Sequence, residues 1–163
     1  MSNIAPAERE KHLQAGSRRA TEKGVTMQHD AFIGQVQDRA KLESRGAAEG
    51  ATRATLETLG ERIPEQLADN VSKQLPPEIG EHLRRTEVMA GAGTGERFGM
   101  DEFTARVSDR SGMGAPQATY AARVVIEMVG EATEGGVLDK VRDSLSEELR
   151  PLVTTGSKGN MQT

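Results

Sequence analysis

A chain of 163 residues without a cysteine has no disulfide, no thiolate metal site and no thiol nucleophile. Only 35% of its residues are apolar and 2% aromatic, so the core has to be built from Leu, Val, Ile, Ala and Met, and the aromatic platforms that stack on single-stranded nucleic acid are scarce. A formal net charge of −4, with no apolar run near the roughly 18–20 residues of a membrane span, gives the expectation of a soluble cytoplasmic protein.

Residues 1–26 carry five Lys/Arg against three Asp/Glu and lack the apolar stretch of a secretory signal. Their composition predicts a disordered or weakly helical leader. Arg9, Lys11, Arg18, Arg19 and Lys23 lie in it. The two blocks 27–83 and 98–153 each carry ten acids against six bases, which repels phosphate and speaks against nucleic acid as a partner of the folded part.

The first helical unit is expected over 27–84. Asp30 stands ahead of Phe32 and Val36, which share one helix face at i and i+4. A second helix is expected over about 45–62, with Ser44 as its N-cap. Pro64 interrupts the chain before Leu67, Val71 and Leu75, whose spacing of four predicts a third helix. After Leu75-Pro76-Pro77-Glu78, Ile79 and Leu83 predict a short fourth one. A Gly-rich linker is expected over 85–97, within which residues 90–99 read AGAGTGERFG. Gly91, Gly93 and Gly95 follow a helix end and not a strand, the third glycine falls one place early for a dinucleotide loop, and no P-loop lysine follows. The stretch is read as a boundary, with glycines that end a helix and relax the backbone.

The second unit, 98–153, repeats the first. At an offset of 71, Asp30, Phe32, Val36, Asp38 and Arg39 match Asp101, Phe103, Val107, Asp109 and Arg110. At an offset of 70, Ala48, Ala51, Arg53, Glu57, Gly60 and Glu61 match Ala118, Ala121, Arg123, Glu127, Gly130 and Glu131. Asp69, Val71, Leu75 and Glu78 match Asp139, Val141, Leu145 and Glu148. The order is kept throughout, so duplication of one helical unit is the simplest account. The counterpart of the second helix is expected over 115–132 with Pro116 in its first turn, and Ala121, Val124, Val125, Met128 and Val129 make it central. Val137, Val141 and Leu145 predict the third helix again, and Leu149 and Val153 the fourth. A disordered tail is expected over 154–163. The fold class is therefore all-α: two tandem repeats of a three-to-four-helix unit packed into one helical bundle, with no period-two strand pattern in competition. One unit alone is near the lower size for independent folding, so the two are expected to pack on each other or on a partner chain.

Met-Gln-His-Asp-Ala-Phe (27–32), Thr-Leu-Gly-Glu-Arg-Ile-Pro (58–64), Gln-Leu-Pro-Pro-Glu (74–78), Glu-Arg-Phe-Gly-Met-Asp-Glu-Phe (96–103) and Ser-Glu-Glu-Leu-Arg-Pro-Leu (146–152) together form a linked pattern. Over about residues 27–153 the chain resembles the bacterial family catalogued as domain of unknown function 2267. The resemblance implies an all-helical tandem-repeat protein of the bacterial cytoplasm and no reaction. It also implies that Met27 is an alternative start.

The residues that recur with charge are Asp38, Arg39, Arg53 and Glu57, and again Asp109, Arg110, Arg123 and Glu127. Arg53–Glu57 and Arg123–Glu127 stand at i and i+4, a spacing that supports a helix by roughly 0.2–0.5 kcal/mol, and buried they would dock one unit on the other. All eight are taken as interaction or repeat-docking candidates. His12, His29 and His82 are the only histidines, and Glu78, Glu81 and His82 miss the Glu-x-x-His spacing of a carboxylate-bridged metal pair. No metal or cofactor is expected. Met89, Met100 and Met113 are assigned to core filling. No Gly-x-Ser-x-Gly elbow exists, so no catalytic residue is assigned. The functional expectation is a non-enzymatic protein-interaction or scaffold module that binds a protein partner or itself. The alternative is an enzyme or small-ligand binder with a pocket between the two repeats, and the third is weak nucleic-acid binding through the basic leader.

Overall fold

The computed structural model describes residues 28–90 and 97–155, with side chains placed as far as Arg84 in the first stretch. The leader 1–26, residues 91–96 of the linker and the tail beyond Thr155 lie outside the described residues, and with them the leader's nucleic-acid candidates; the Met89 side chain lies beyond the side chains described. Among the described residues there are eight helices packed together and no strand. They are α1 (His29–Arg39), α2 (Arg45–Arg62), α3 (Glu65–Ser72), α4 (Pro77–Ala90), α5 (Met100–Ser111), α6 (Ala115–Ala132), α7 (Val137–Ser144) and α8 (Pro151–Thr154).

Local chemistry sets most of the boundaries. In α1 the acid Asp30 sits in the first turn, where the unpaired N–H groups favour it, and Phe32, Ile33 and Val36 are buried. The chain leaves α1 through Lys41, whose φ of 55° is left-handed. Ser44 caps α2 by accepting a hydrogen bond from the Ala47 N–H at 3.0 Å. Pro64 stands at the N-cap of α3, where its missing N–H costs nothing. Gly112, at φ 82°, closes α5 by donating its N–H to the Ser108 carbonyl at 2.8 Å. Pro116 opens α6.

Four elements differ from the sequence expectation: α3 ends at Ser72 and α7 at Ser144, so Leu75 and Leu145 are buried beyond the helix ends. Helix α4 continues to Ala90, past the boundary expected at residue 84. Leu149 and Val153 do not share a helix face: α8 begins at Pro151, Leu149 lies in the preceding turn, and Leu152 takes the core position while Val153 is half-buried. A proline fits the first turn of a helix far better than its interior, so it moves the start of α8 and rotates its apolar face.

Helices α2 and α6 form the centre. Helix α2 packs against α1, α4, α5 and α6, and α6 packs against α1, α5, α7 and α8. The core is continuous from Phe32 on α1 to Leu152 on α8. Phe32, Phe103, Leu56, Leu59, Ile126 and Met128 are fully enclosed, each side chain worth roughly 1.5–3 kcal/mol of transfer free energy. Met100 and Met113 pack half-buried on this core. Helix α1 contacts α6, α5 contacts α2, and α3 contacts α7, so the helices of 28–84 and those of 98–155 share one interior.

Candidate functional site

The strongest side-chain chemistry lies where helix ends from one part of the chain meet helix faces from the other. Arg39, the last residue of α1, reaches α6. Its Nη1 and Nη2 donate to the two carboxylate oxygens of Glu131 at 2.8 and 3.0 Å, and Nη1 also donates to Glu127 at 2.8 Å. This fork-to-fork geometry is the strong form of the arginine–carboxylate bond. The hydrogen bond to Glu131 holds the Arg39 guanidinium above its ordinary pKa, against the opposing effect of burial. At the end of α5, Arg110 reaches α2 in the same manner. It donates to Glu61 at 2.7 Å and to the Thr58 hydroxyl at 2.8 Å, and stands 3.9 Å from Glu57. Arg106, one turn earlier, donates to the other oxygen of Glu61 at 2.8 Å and to Glu102 at 2.8 Å.

The other candidates divide. Arg53 donates to the carbonyl of Arg110 at 3.3 Å and lies 3.9 Å from Glu57, so it covers the C-terminal end of α5. Arg123 is 3% exposed, with its guanidinium 5.3 Å from the Tyr120 ring, whose hydroxyl donates to the Arg39 carbonyl at 3.3 Å. Asp38 and Asp109 stay exposed outside these clusters. Of the eight candidates the structure thus gathers Arg39 with Glu127, and Arg53, Glu57 and Arg110 with one another. The sequence reading missed Glu61 and Glu131 as partners, although both recur one turn beyond Glu57 and Glu127 on the same face. It missed Gln74 as well, whose amide binds the backbone N–H of Glu134 at 2.7 Å and so ties the α3–α4 loop to the α6–α7 loop. Glu148 accepts from the Met100 N–H at 3.1 Å and serves the start of α5.

Burial pushes the Glu61 carboxyl up, but hydrogen bonds from Arg110 and Arg106 and their charges outweigh it, and the net pKa lies below the ordinary carboxylate value of 4.5. The ionised form is therefore bound more tightly in the folded state. Its contribution is fully present above pH 4.5 and is lost as pH falls through the lower folded value. Glu61→Gln is expected to destabilise the protein at neutral pH, with the gap to wild type closing as melts are taken into acid. A gap that stays constant down to acid unfolding would show that Glu61 is not ionised in this contact.

A cavity of about 510 Å³ opens between α1, α2 and α4. His29, Glu49, Arg53, Glu78, Glu81 and His82 line it, over an apolar floor that includes Ile33 and Ile79. Gly46 and Gly50 form part of its α2 wall, and nothing stands within 4 Å of where a Cβ on Gly50 would project. This cavity is formed wholly by residues 29–82. Among the described residues no three His, Asp or Glu side chains are disposed to hold a metal ion.

A further feature has no counterpart in the sequence reading. Arg62, the last residue of α2, is only 5% exposed, and its Nε donates to the Phe98 carbonyl at 3.1 Å. Among the described residues no carboxylate pairs with it. Burial, and then the charge of nearby Arg97, holds its guanidinium below the ordinary arginine pKa.

No helix among the described residues is long and apolar enough to cross a membrane. No curated protein matches the chain. The family model described as "Uncharacterized conserved protein (DUF2267)" matches residues 29–152, from the first residue of α1 into α8, and the chain belongs to that family.

Proposed function

We propose that this protein is a non-enzymatic helical interaction module of the cytoplasm, built from two copies of one helical unit that hold each other. The observation that carries the proposal is the reciprocity of the clamps. Arg39 grips Glu127 and Glu131, and Arg110 meets Glu57 and Glu61. Under the repeat correspondence these are the same arginine and the same two glutamates, each arginine reaching the other copy. These arginines and glutamates are thereby engaged in joining helices, and the helical body that results presents exposed acidic side chains to a partner. The test is crosslinking mass spectrometry in cells through the exposed Lys41, Lys73 and Lys140. A specific neighbouring protein, or a second copy of this chain, is expected at reproducible positions. No neighbour above background would overturn the proposal.

The cavity favours a second reading, a small-ligand binder. Under the same correspondence His29, Gly50 and His82 answer to Met100, Tyr120 and Leu152, so the second copy carries bulk and apolar groups where the first leaves space and imidazoles. A metabolite-library melting screen is expected to yield a ligand that raises the melting temperature of wild type and not of Gly50→Tyr, which imports the second copy's residue into the cavity. A ligand that stabilises both proteins equally would place its site elsewhere.

A further inference from the structure

Under the repeat correspondence, the second copy closes a space that the first leaves open. Helices α2 and α6 each run 18 residues, and an offset of 70 lays one on the other from end to end. Gly50 on α2 then answers to Tyr120 on α6. Tyr120 is buried, its ring centroid lies 5.3 Å from the Arg123 guanidinium, and its hydroxyl donates to the Arg39 carbonyl at 3.3 Å. In the first copy the frame of that contact stands without the ring. Nothing lies within 4 Å of where a Cβ on Gly50 would project, and Arg53, the counterpart of Arg123, lines the cavity. The Arg110 carbonyl, the counterpart of the Arg39 carbonyl, accepts from Arg53 Nη2 at 3.3 Å instead of from a phenol. The ring that the second copy supplies for itself thus has open space in its place, beside a cavity of about 510 Å³.

The charge of the lining is a second, separate feature. Glu49 on α2 and Glu78 and Glu81 on α4 line the cavity and are exposed. Among the described residues no hydrogen bond or ion pair engages Glu78 or Glu81. Glu49 stands 3.9 Å from Arg45, which Asp30 holds more closely at 2.7 Å. Arg53 is the single lysine or arginine among the described lining residues, and Glu57, 3.9 Å away, offsets it. Arg84, one turn past Glu81, is exposed and does not line the cavity. His29 and His82 complete the polar lining, and no three of these acids and imidazoles are disposed to hold a metal ion. The balance favours an organic cation. Under the same correspondence Glu49 and Glu81 answer to Thr119 and Pro151, so this charge is also particular to the first copy.

We propose that the cavity binds an aromatic amine. The ring lies beside Gly50 and against Arg53, as Tyr120 lies against Arg123, and the ammonium group turns to Glu78 and Glu81 on the α4 wall, away from the guanidinium on α2. An arginine at a ring face and a carboxylate at an ammonium are both favourable, and both strengthen where the cavity excludes water. A volume of this order is ordinary for a small-molecule site. The inference rests on the small-ligand reading of this cavity and on the repeat correspondence, and it gives that reading a ligand class.

The test is thermal melting of the full chain at about pH 8, above the ordinary histidine range, with tyramine as the probe. Tyramine is expected to raise the melting temperature saturably, by roughly 5 °C at ten times its dissociation constant. Pentylamine, which lacks the ring, and para-hydroxyphenylacetate, which carries the opposite charge, are expected to bind about tenfold more weakly or worse. Gly50→Tyr fills the open space and is expected to abolish the rise, whereas Gly50→Ala leaves the space and keeps it. The double variant Glu78→Gln/Glu81→Gln alters two exposed side chains and is expected to weaken the apparent affinity about tenfold, and it carries the test if Gly50→Tyr does not fold. Glu134→Gln/Glu147→Gln removes two exposed carboxylates outside the cavity and is expected to respond as wild type. The inference is overturned if tyramine gives no saturable rise, if the rise persists in Gly50→Tyr, if Glu78→Gln/Glu81→Gln responds as wild type, or if pentylamine or para-hydroxyphenylacetate matches tyramine. Should tyramine fail while another metabolite stabilises wild type and not Gly50→Tyr, the ligand class is wrong and the cavity reading stands. Should no ligand distinguish the two proteins, both fall.

Discussion

Phe103→Ala is expected to lower the stability of the protein by about 3–5 kcal/mol, read as the shift in a denaturant-unfolding midpoint at constant slope. The ring is fully enclosed, on the face of α5 that also buries Val107. It stacks at a tilt on Phe98, with centroids 6.4 Å apart. Truncation removes the transfer free energy of the ring and leaves a void that the neighbours can fill only in part. The composition makes collapse harder, since the surrounding core consists of branched aliphatics and alanines on helices already in contact, with few long flexible side chains to move in. The change is also expected to loosen Phe98, whose carbonyl receives Arg62, so loss of the ring should reach the junction between α2 and α5. A loss below about 1 kcal/mol would mean that the ring is not part of the packed interior.

Gly80→Ala is the second large effect, expected to cost about 1–3 kcal/mol although alanine is the better helix former by roughly 1 kcal/mol. Gly80 is buried in the first turn of α4, against the last residue of α3. A Cβ there would come within 2.5 Å of the Ser72 carbonyl oxygen, and within 3.2 and 3.3 Å of the Ser72 carbonyl carbon and Cα. These are backbone atoms, which no rotamer change can withdraw, so α3 and α4 must separate. Gly130 offers the contrast. A Cβ on it would meet the Leu138 Cδ2 atom at 2.5 Å, the far end of a side chain that can turn aside. Gly130→Ala is therefore expected to be milder than Gly80→Ala in parallel melts, and the reverse order would show that helix propensity, not close approach, governs both positions.

Much of the helix plan was legible in the residues. The expected spans 45–62 and 115–132 coincide with α2 and α6, because Ser44 and Pro116 act on the backbone within a few residues of themselves. Phe32, Val36, Leu67, Val71 and Ile79 were read as core from spacing alone and are buried, since a period near 3.6 marks a face whatever it packs against. The charged positions were harder. That Arg39 and Arg110 recur was visible, but their acceptors stand 88 and 92, or 49 and 53, residues away along the chain, and no local signal names them. Arg53–Glu57 was the pair expected from helix spacing, and it is the long one, at 3.9 Å, because Arg53 turns instead to the carbonyl of Arg110. The last helix was displaced because the apolar spacing of Leu149 and Val153 was weighed without Pro151 between them.

The sequence by itself determined what is local: which segments are helical, where caps and prolines begin and end them, which face of each is apolar, and membership of a family through short linked motifs. Only the tertiary structure decided which helix ends meet which faces, that Glu61 is shared between Arg106 and Arg110, that Glu148 serves the start of α5, that a cavity remains beside Gly50, and that Arg62 is enclosed without a carboxylate. The physical reason is one of range. Capping and periodicity act over a turn or two of backbone, whereas pairing, enclosure and empty space depend on how helices cross, and that is set by the summed packing of the whole interior.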